Sequence, residues 1–127
     1  MYTHFRGFTQ SSIVKTDRKR IQLVVLNLLS NSIKFNNQDG KILILVEKMG
    51  VHLRISVIDT GVGIPKVEQG SIFDQSLRKA ENGSRLGLMI SKMIVDQFDG
   101  EIDFVSKFRS GSTFFFTFQI KEVDLFG

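Results

Sequence analysis

The sequence predicts an α+β fold, a two-layer sandwich with helices on one face of a mixed, mostly antiparallel sheet. Two amphipathic helical stretches are separated by strand pairs, not interleaved with single strands, which argues against a regular βαβ arrangement. The stretch "STFFFTFQI" places Phe114, Phe116, Phe118 and Ile120 on one side and Thr113, Phe115, Thr117 and Gln119 on the other, as a core strand does. Roughly 20 residues after Pro65 lose all periodicity, the mark of a lid or binding loop in a compact domain.

The chain of 127 residues fits one domain, 1–127, large enough to bury a core without staples. It has no cysteine, which removes disulfides and thiolate metal sites and fits a reducing compartment. The longest apolar run, Ile42 to Val46, falls far short of the ~20 residues of a membrane span. The N-terminus lacks the apolar core of a signal peptide. Lys and Arg number 17 against 13 Asp and Glu, a formal net charge of +4. These cations are scattered and predict a solvated basic surface, not a nucleic-acid patch.

The elements follow in order. Part of Thr3 to Val14 reads as a short strand. Thr16 or Asp17 can cap a helix. From Arg18 to Asn36, the apolar residues Ile21, Val24, Val25, Leu28, Leu29 and Ile33 mark one buried face, and Asn36-Asn37-Gln38-Asp39-Gly40 ends the helix. Ile42 to Glu47 and Val51 to Ile58 read as a hairpin through Lys48-Met49-Gly50. A second helix runs from Leu86 to Phe98 through Ile90, Met93 and Ile94, and Asp99-Gly100 stops it. Glu101 to Ser106 and Ser112 to Ile120 close the sheet.

Three stretches carry candidate chemistry. Asn27, Asn31 and Lys34 form a polar stripe on the first helix, away from its apolar face. Asparagine is a poor interior helix residue, while its amide oxygen is a hard ligand for Mg²⁺, and a lysine one turn on suits phosphate. A plain solvated face accounts for the same spacing. "NGSRLGL", at the mouth of the second helix, offers glycines and free N–H groups to an anion, or simply caps the helix. In "SVIDTGVGIP", Asp59-Thr60-Gly61 is either a protease loop or a glycine loop whose aspartate reads a base. An aspartic protease needs two such aspartates sharing a proton, and would give no role to Asn27, Asn31 or Lys34.

Together these stretches resemble the ATP-binding catalytic domain of sensor histidine kinases, within the superfamily of DNA gyrase, the 90-kDa heat-shock chaperones and MutL-type repair proteins. The resemblance covers about 17–120, with a lid at about 65–85. "DRKRIQLVVLNLLSNSIKF" resembles the N box, "DTGVGI" the first glycine box, "SIFDQSLR" the F box, "GSRLGLMISKMIVDQFDG" the second glycine box with its helix, and "SGSTFFFTF" the closing strand. The fold this implies is the Bergerat ATP-binding sandwich with a flexible ATP lid.

Carried over by position, the resemblance implies that Asn31 coordinates Mg²⁺ with Asn27 adjacent, Lys34 reaches the ATP phosphates, and Phe35 lines the adenine pocket. Asp59 would accept a hydrogen bond from the adenine amine, with Gly61 and Gly63 giving clearance beside Ile64. Phe73 would anchor the lid, and Arg78 would face the γ-phosphate. Gly83, Ser84, Arg85, Leu86, Gly87 and Leu88 would form the phosphate-facing lid end and helix start. Three positions depart from the family pattern: Arg85 and Asp99 replace glycines, and Ser76 replaces an aromatic. A left-handed backbone at 85 would strain an arginine.

The function implied is a Mg-ATP-dependent transfer of the γ-phosphate to a histidine on a separate dimerisation domain, with a response-regulator receiver domain downstream. The alternatives are a nucleotide-binding domain with little phosphotransfer, and a gyrase- or chaperone-type ATPase. The latter needs a glutamate base where Asn27 or Asn31 stands. His4 and His52 lie outside any phosphoacceptor motif. The domain is expected to be a cytoplasmic monomer cut from a larger kinase that could be membrane-anchored. It is expected to make no direct membrane or nucleic-acid contact.

Overall fold

The computed structural model describes residues 1–7, 14–15, 17–73 and 84–122. Among them, five strands form one sheet: β1 (Tyr2–Arg6), β3 (Ile42–Met49), β4 (His52–Asp59), β6 (Gly111–Gln119) and β5 (Glu101–Lys107), in that spatial order. The β1–β3 pairing is parallel and the other three are antiparallel. A small second sheet pairs β2 (Val14–Lys15) with β7 (Lys121–Glu122). Helices α1 (Arg18–Lys34) and α3 (Ser84–Gln97) lie side by side, α1 over β4 and α3 over β5 and β6. The predicted two-layer sandwich is therefore the observed one. A short helix, α2 (Lys66–Gln69), occupies part of the stretch that showed no period.

The inner face of the sheet is set by period two. Leu53, Ile55 and Val57 of β4 meet Phe118, Phe116 and Phe114 of β6 across the ladder, and all are buried. Ile102 and Phe104 of β5 complete the layer, with the Phe104 and Phe114 rings stacked at 5.3 Å. The core is aromatic here because β6 supplies a phenylalanine at every inward position that the helices cover.

Asp17 caps α1 by accepting the Arg20 N–H at 3.2 Å. The buried row of α1 is Ile21, Val24, Leu28 and Ser32. Ile33, expected on that face, is 62% exposed. The row advances by three or four residues at a time from Ile21 to Ser32, which turns the neighbouring position 33 away from the sheet. The buried row of α3 is likewise Leu88, Ser91 and Val95, while Leu86 and Met93 face outward. In both helices a small serine holds a buried place where an apolar residue was expected.

Helix α3 ends in a Schellman arrangement. The Gly100 N–H donates to the Val95 carbonyl at 3.1 Å and the Asp99 N–H to the Asp96 carbonyl at 3.2 Å. Asp99 holds the left-handed position at φ 54°. Aspartate tolerates this geometry better than most side chains but less well than glycine. Asp99→Gly is expected to raise unfolding stability by about 1 kcal/mol, read as a higher denaturant midpoint with an unchanged slope.

Candidate functional site

A cleft of about 390 Å³ opens between the C-terminal end of α1, the end of β4, and the β5–β6 turn. Asp59 is the last residue of β4, on the inward side that continues Leu53, Ile55 and Val57. Its Oδ1 accepts the Gly61 N–H at 2.9 Å and its Oδ2 accepts the Ser32 hydroxyl at 3.2 Å. Thr60 is tied to the α1–β3 connection. Its Oγ1 accepts the Lys41 N–H at 2.8 Å, and its carbonyl accepts Asn37 Nδ2 at 3.2 Å. The aspartate is therefore pinned from two sides, through its own carboxylate and through the next residue's backbone.

The glycine loop that follows is threaded between two pieces of backbone. The Val62 N–H donates to the Phe35 carbonyl at 3.1 Å, and the Arg109 N–H donates to the Val62 carbonyl. A Cβ on Gly61 would collide with the Phe35 carbonyl, and one on Gly63 (φ +71°) with the Lys107 carbonyl. Both glycines were expected to give room to a base. The contacts they spare are, in the first place, those of the protein's own chain. Ile64 is held by its N–H to Ser106 Oγ at 2.8 Å, and its carbonyl accepts Gln69 Nε2 at 2.9 Å. Phe73 packs against Phe104 and Phe114 at 6.0 and 6.4 Å between ring centroids, which ties the stretch after α2 to the core.

Of the residues singled out in the sequence, Asn31, Phe35, Asp59, Gly63, Ile64 and Leu88 line this cleft. Asn27 does not. Its Nδ2 donates to the Gly87 carbonyl and to Ser91 Oγ, both at 3.3 Å, so it clamps α1 to α3. Asn27 and Asn31, both half-buried, accordingly face α3 and the cleft, while the stripe's third residue does not share that burial. Lys34 is exposed, its Nζ 5.6 Å from the centre of the Phe35 ring. Gly87 lies beside Asn27 with ordinary contact distances. Arg85 falls in the helical first turn of α3, so the left-handed strain considered for it does not arise. Ser84 opens the same helix and Leu86 is exposed. Arg78, Gly83 and Ser76 lie outside the described residues.

Sequence reasoning missed Ser32, Val62, Phe108 and Ser112, which also line the cleft. Two signals were available. Ser32 sits four residues beyond Leu28 on the buried row, and Ser112 precedes Phe114 by two on the inward side of β6. Both are polar residues at positions whose period demands burial.

The donor set bears on a metal. Among the described residues no group of three or more His, Cys, Asp or Glu could hold one. Asn31 offers one hard amide oxygen at the cleft. That fits a Mg²⁺ ligated mainly by a phosphate ligand and water, and not a cage built by protein alone.

A family model described as histidine kinase-, DNA gyrase B-, and HSP90-like ATPase matches residues 16–122. The chain belongs to this ATPase family. It is 36% identical over 108 residues to the circadian input-output histidine kinase CikA of Synechococcus elongatus, covering 80% of this chain and 14% of that protein. It is 38% identical over 111 residues to the signal transduction histidine-protein kinase BarA of Escherichia coli, covering 79% of this chain and 12% of BarA. The chain thus spans a small part of the curated relatives it matches. Among solved structures, the catalytic domain of histidine kinase ThkA superposes with a TM-score of 0.78 at 30% identity, over 93% of this chain and 77% of that one. This is an ATP-binding catalytic domain of the histidine kinase type. Among the described residues no helix is long and apolar enough to cross a membrane.

The two glycine environments predict opposite outcomes. Gly63→Ala is expected to cost about 1–3 kcal/mol of stability, because left-handed strain adds to a backbone collision. Gly87→Ala, in a helix with room for a methyl group, is expected to leave stability unchanged or raise it by up to about 1 kcal/mol. Thermal unfolding of the two variants side by side checks the contrast.

Proposed function

We propose that this domain binds Mg-ATP and donates the γ-phosphate to a histidine on a separate dimerisation domain, from which a response-regulator receiver domain would draw it. The observation that carries the reading is Asp59, a carboxylate held rigidly at the floor of a largely apolar cleft. A carboxylate there can only accept hydrogen bonds, so it selects a ring with an exocyclic amine. Phe35, Ile64 and Leu88 would sandwich that ring, and the Asn31 end of the cleft would receive the phosphates.

Asn31 would hold the Mg²⁺, which when bound neutralises the triphosphate and aligns it for in-line transfer. Asn27, committed to α3, would act by keeping the second glycine box in place. Lys34 would lie close enough to the cleft mouth to pair with phosphate as a point charge. Arg78 is proposed for the developing charge on the γ-phosphate, and Gly83 to Leu88 for the phosphate-facing end of the lid. The chain supplies positioning and charge. The nucleophile is an imidazole brought by the partner, so the domain alone is expected to turn over little ATP. The structure of ThkA in complex with response regulator TrrA, which this chain matches at 29% identity and a TM-score of 0.74, supports the downstream partner by likeness. A domain that consumes ATP would work in the cytoplasm. A role limited to nucleotide binding, with little transfer, remains the second reading, and Ser76 in the lid segment is what favours it.

Titration calorimetry with a non-hydrolysable ATP analogue is expected to show binding that strengthens with Mg²⁺; no heat in the presence of Mg²⁺ would sink the proposal. Asp59→Asn is expected to weaken ATP binding by roughly 1–3 kcal/mol, the range for a buried partner lost. Labelled ATP incubated with this domain and a histidine-bearing dimerisation domain should yield acid-labile phosphohistidine. Binding without that product would leave the binding-only reading.

A further inference from the structure

We infer that Ser32 is a positioning residue for base recognition: its buried hydroxyl fixes the Asp59 carboxylate in the orientation that reads the exocyclic amine. This rests on the proposed role of Asp59 and adds a second residue to it. Ser32 is 2% exposed, on the α1 row that otherwise carries Ile21, Val24 and Leu28. A hydroxyl at such a place needs a partner, and among the described residues that partner is Asp59 Oδ2 at 3.2 Å. The Gly61 N–H holds the other oxygen at 2.9 Å. With one donor on each oxygen, rotation about the Cβ–Cγ bond would break both bonds at once, so the carboxylate plane is set before any ligand arrives.

Each carboxylate oxygen still has a free lone-pair direction after accepting one hydrogen bond. Ser32 and Asp59 both line the cleft, so the remaining acceptor direction is available to a ligand there. The hydroxyl has a single hydrogen, and the carboxylate has none. While that hydrogen sits on Oδ2, neither group offers a donor to the ligand edge. A ring presenting an amine gains an acceptor, and a ring presenting a carbonyl oxygen meets lone pairs against lone pairs. Ser32 thereby sharpens discrimination without being the group that reads the base.

The test compares ATP with purine riboside triphosphate, which lacks only the exocyclic amine, by calorimetry on the parent domain, Ser32→Ala, Ser32→Cys, Asp59→Asn and the Ser32→Ala/Asp59→Asn double variant. The parent should prefer ATP by about 10-fold or more, the scale of a hydrogen bond to a charged acceptor. Ser32→Ala should weaken ATP by about 3- to 10-fold and the analogue by less than about 2-fold, so that the preference narrows. The double variant should bind ATP no more weakly than Asp59→Asn alone, because Ser32 acts through Asp59. Ser32→Cys keeps the volume but only a weak donor, and should narrow the preference even if the alanine variant folds poorly. A parent that binds both nucleotides equally would overturn the reading of Asp59, and the inference with it. A parent that discriminates while both Ser32 variants discriminate equally well would overturn the inference alone, as would additive losses in the double variant.

Discussion

The site depends on how closely the backbone of residues 61–63 passes its neighbours. On one side is the carbonyl of Phe35 at the end of α1, and on the other the carbonyl of Lys107 at the end of β5. The loop hydrogen-bonds to both walls, through the Val62 N–H and the Val62 carbonyl. Side chains at 61 or 63 would push the helix and the β5–β6 turn apart. The cleft lies between those same two pieces, so its width is set by glycine contact distances and not by any side chain within it. Asp59 gains its fixed place from this arrangement, because the Gly61 N–H that pins Oδ1 belongs to the threaded loop.

A second constraint joins the helices. Asn27 reaches across to the Gly87 carbonyl and to Ser91, and the small residues at 87 and 91 let the helices approach. The first turn of α3 is thereby tied to the helix that carries Asn31. Any shift of α3, where the segment after the cleft begins, must be felt one turn away from the proposed metal ligand. The asparagine that failed to reach the cleft thus has a structural reason to be an asparagine, whose amide satisfies a carbonyl and a hydroxyl together.

Most of the fold was legible in the sequence. The strand pairs, both helices and the inward phenylalanines of β6 follow from periods of two and of three to four, which reflect burial directly. What escaped was burial carried by small polar residues. Ile33 was placed on the buried face of α1 because it is apolar, while Ser32 holds the place, and Ser91 does the same in α3. Pattern reading scores hydrophobicity, whereas close packing and a hydrogen-bond partner decide these positions. The site was legible where a motif carried it: Asn31, Phe35, Asp59 and Leu88 all line the cleft. Phe108 was not, since only the pairing of β5 with β6 brings that turn to the end of β4; the period marked Ser112 as inward but not as part of the site.

The hydroxyl pair under the glycine loop gives the cleft two kinds of wall. Ser106 Oγ accepts the Ile64 N–H and lies 3.2 Å from the Gly111 carbonyl and 2.7 Å from Ser112 Oγ. If Ser106 gives its hydrogen to Gly111, Ser112 must donate to Ser106 and shows the cleft only lone pairs. If Ser106 gives it to Ser112, the bond to Gly111 is given up and the hydrogen on Ser112 is freed for another acceptor, a ligand in the cleft that Ser112 lines among them. No heavy atom has to move between these settings. The wall at Ser112 is thus an adaptable surface that can answer a donor or an acceptor, while the wall at Asp59 can answer only a donor. Selectivity in such a cleft must come from the side that cannot change sign.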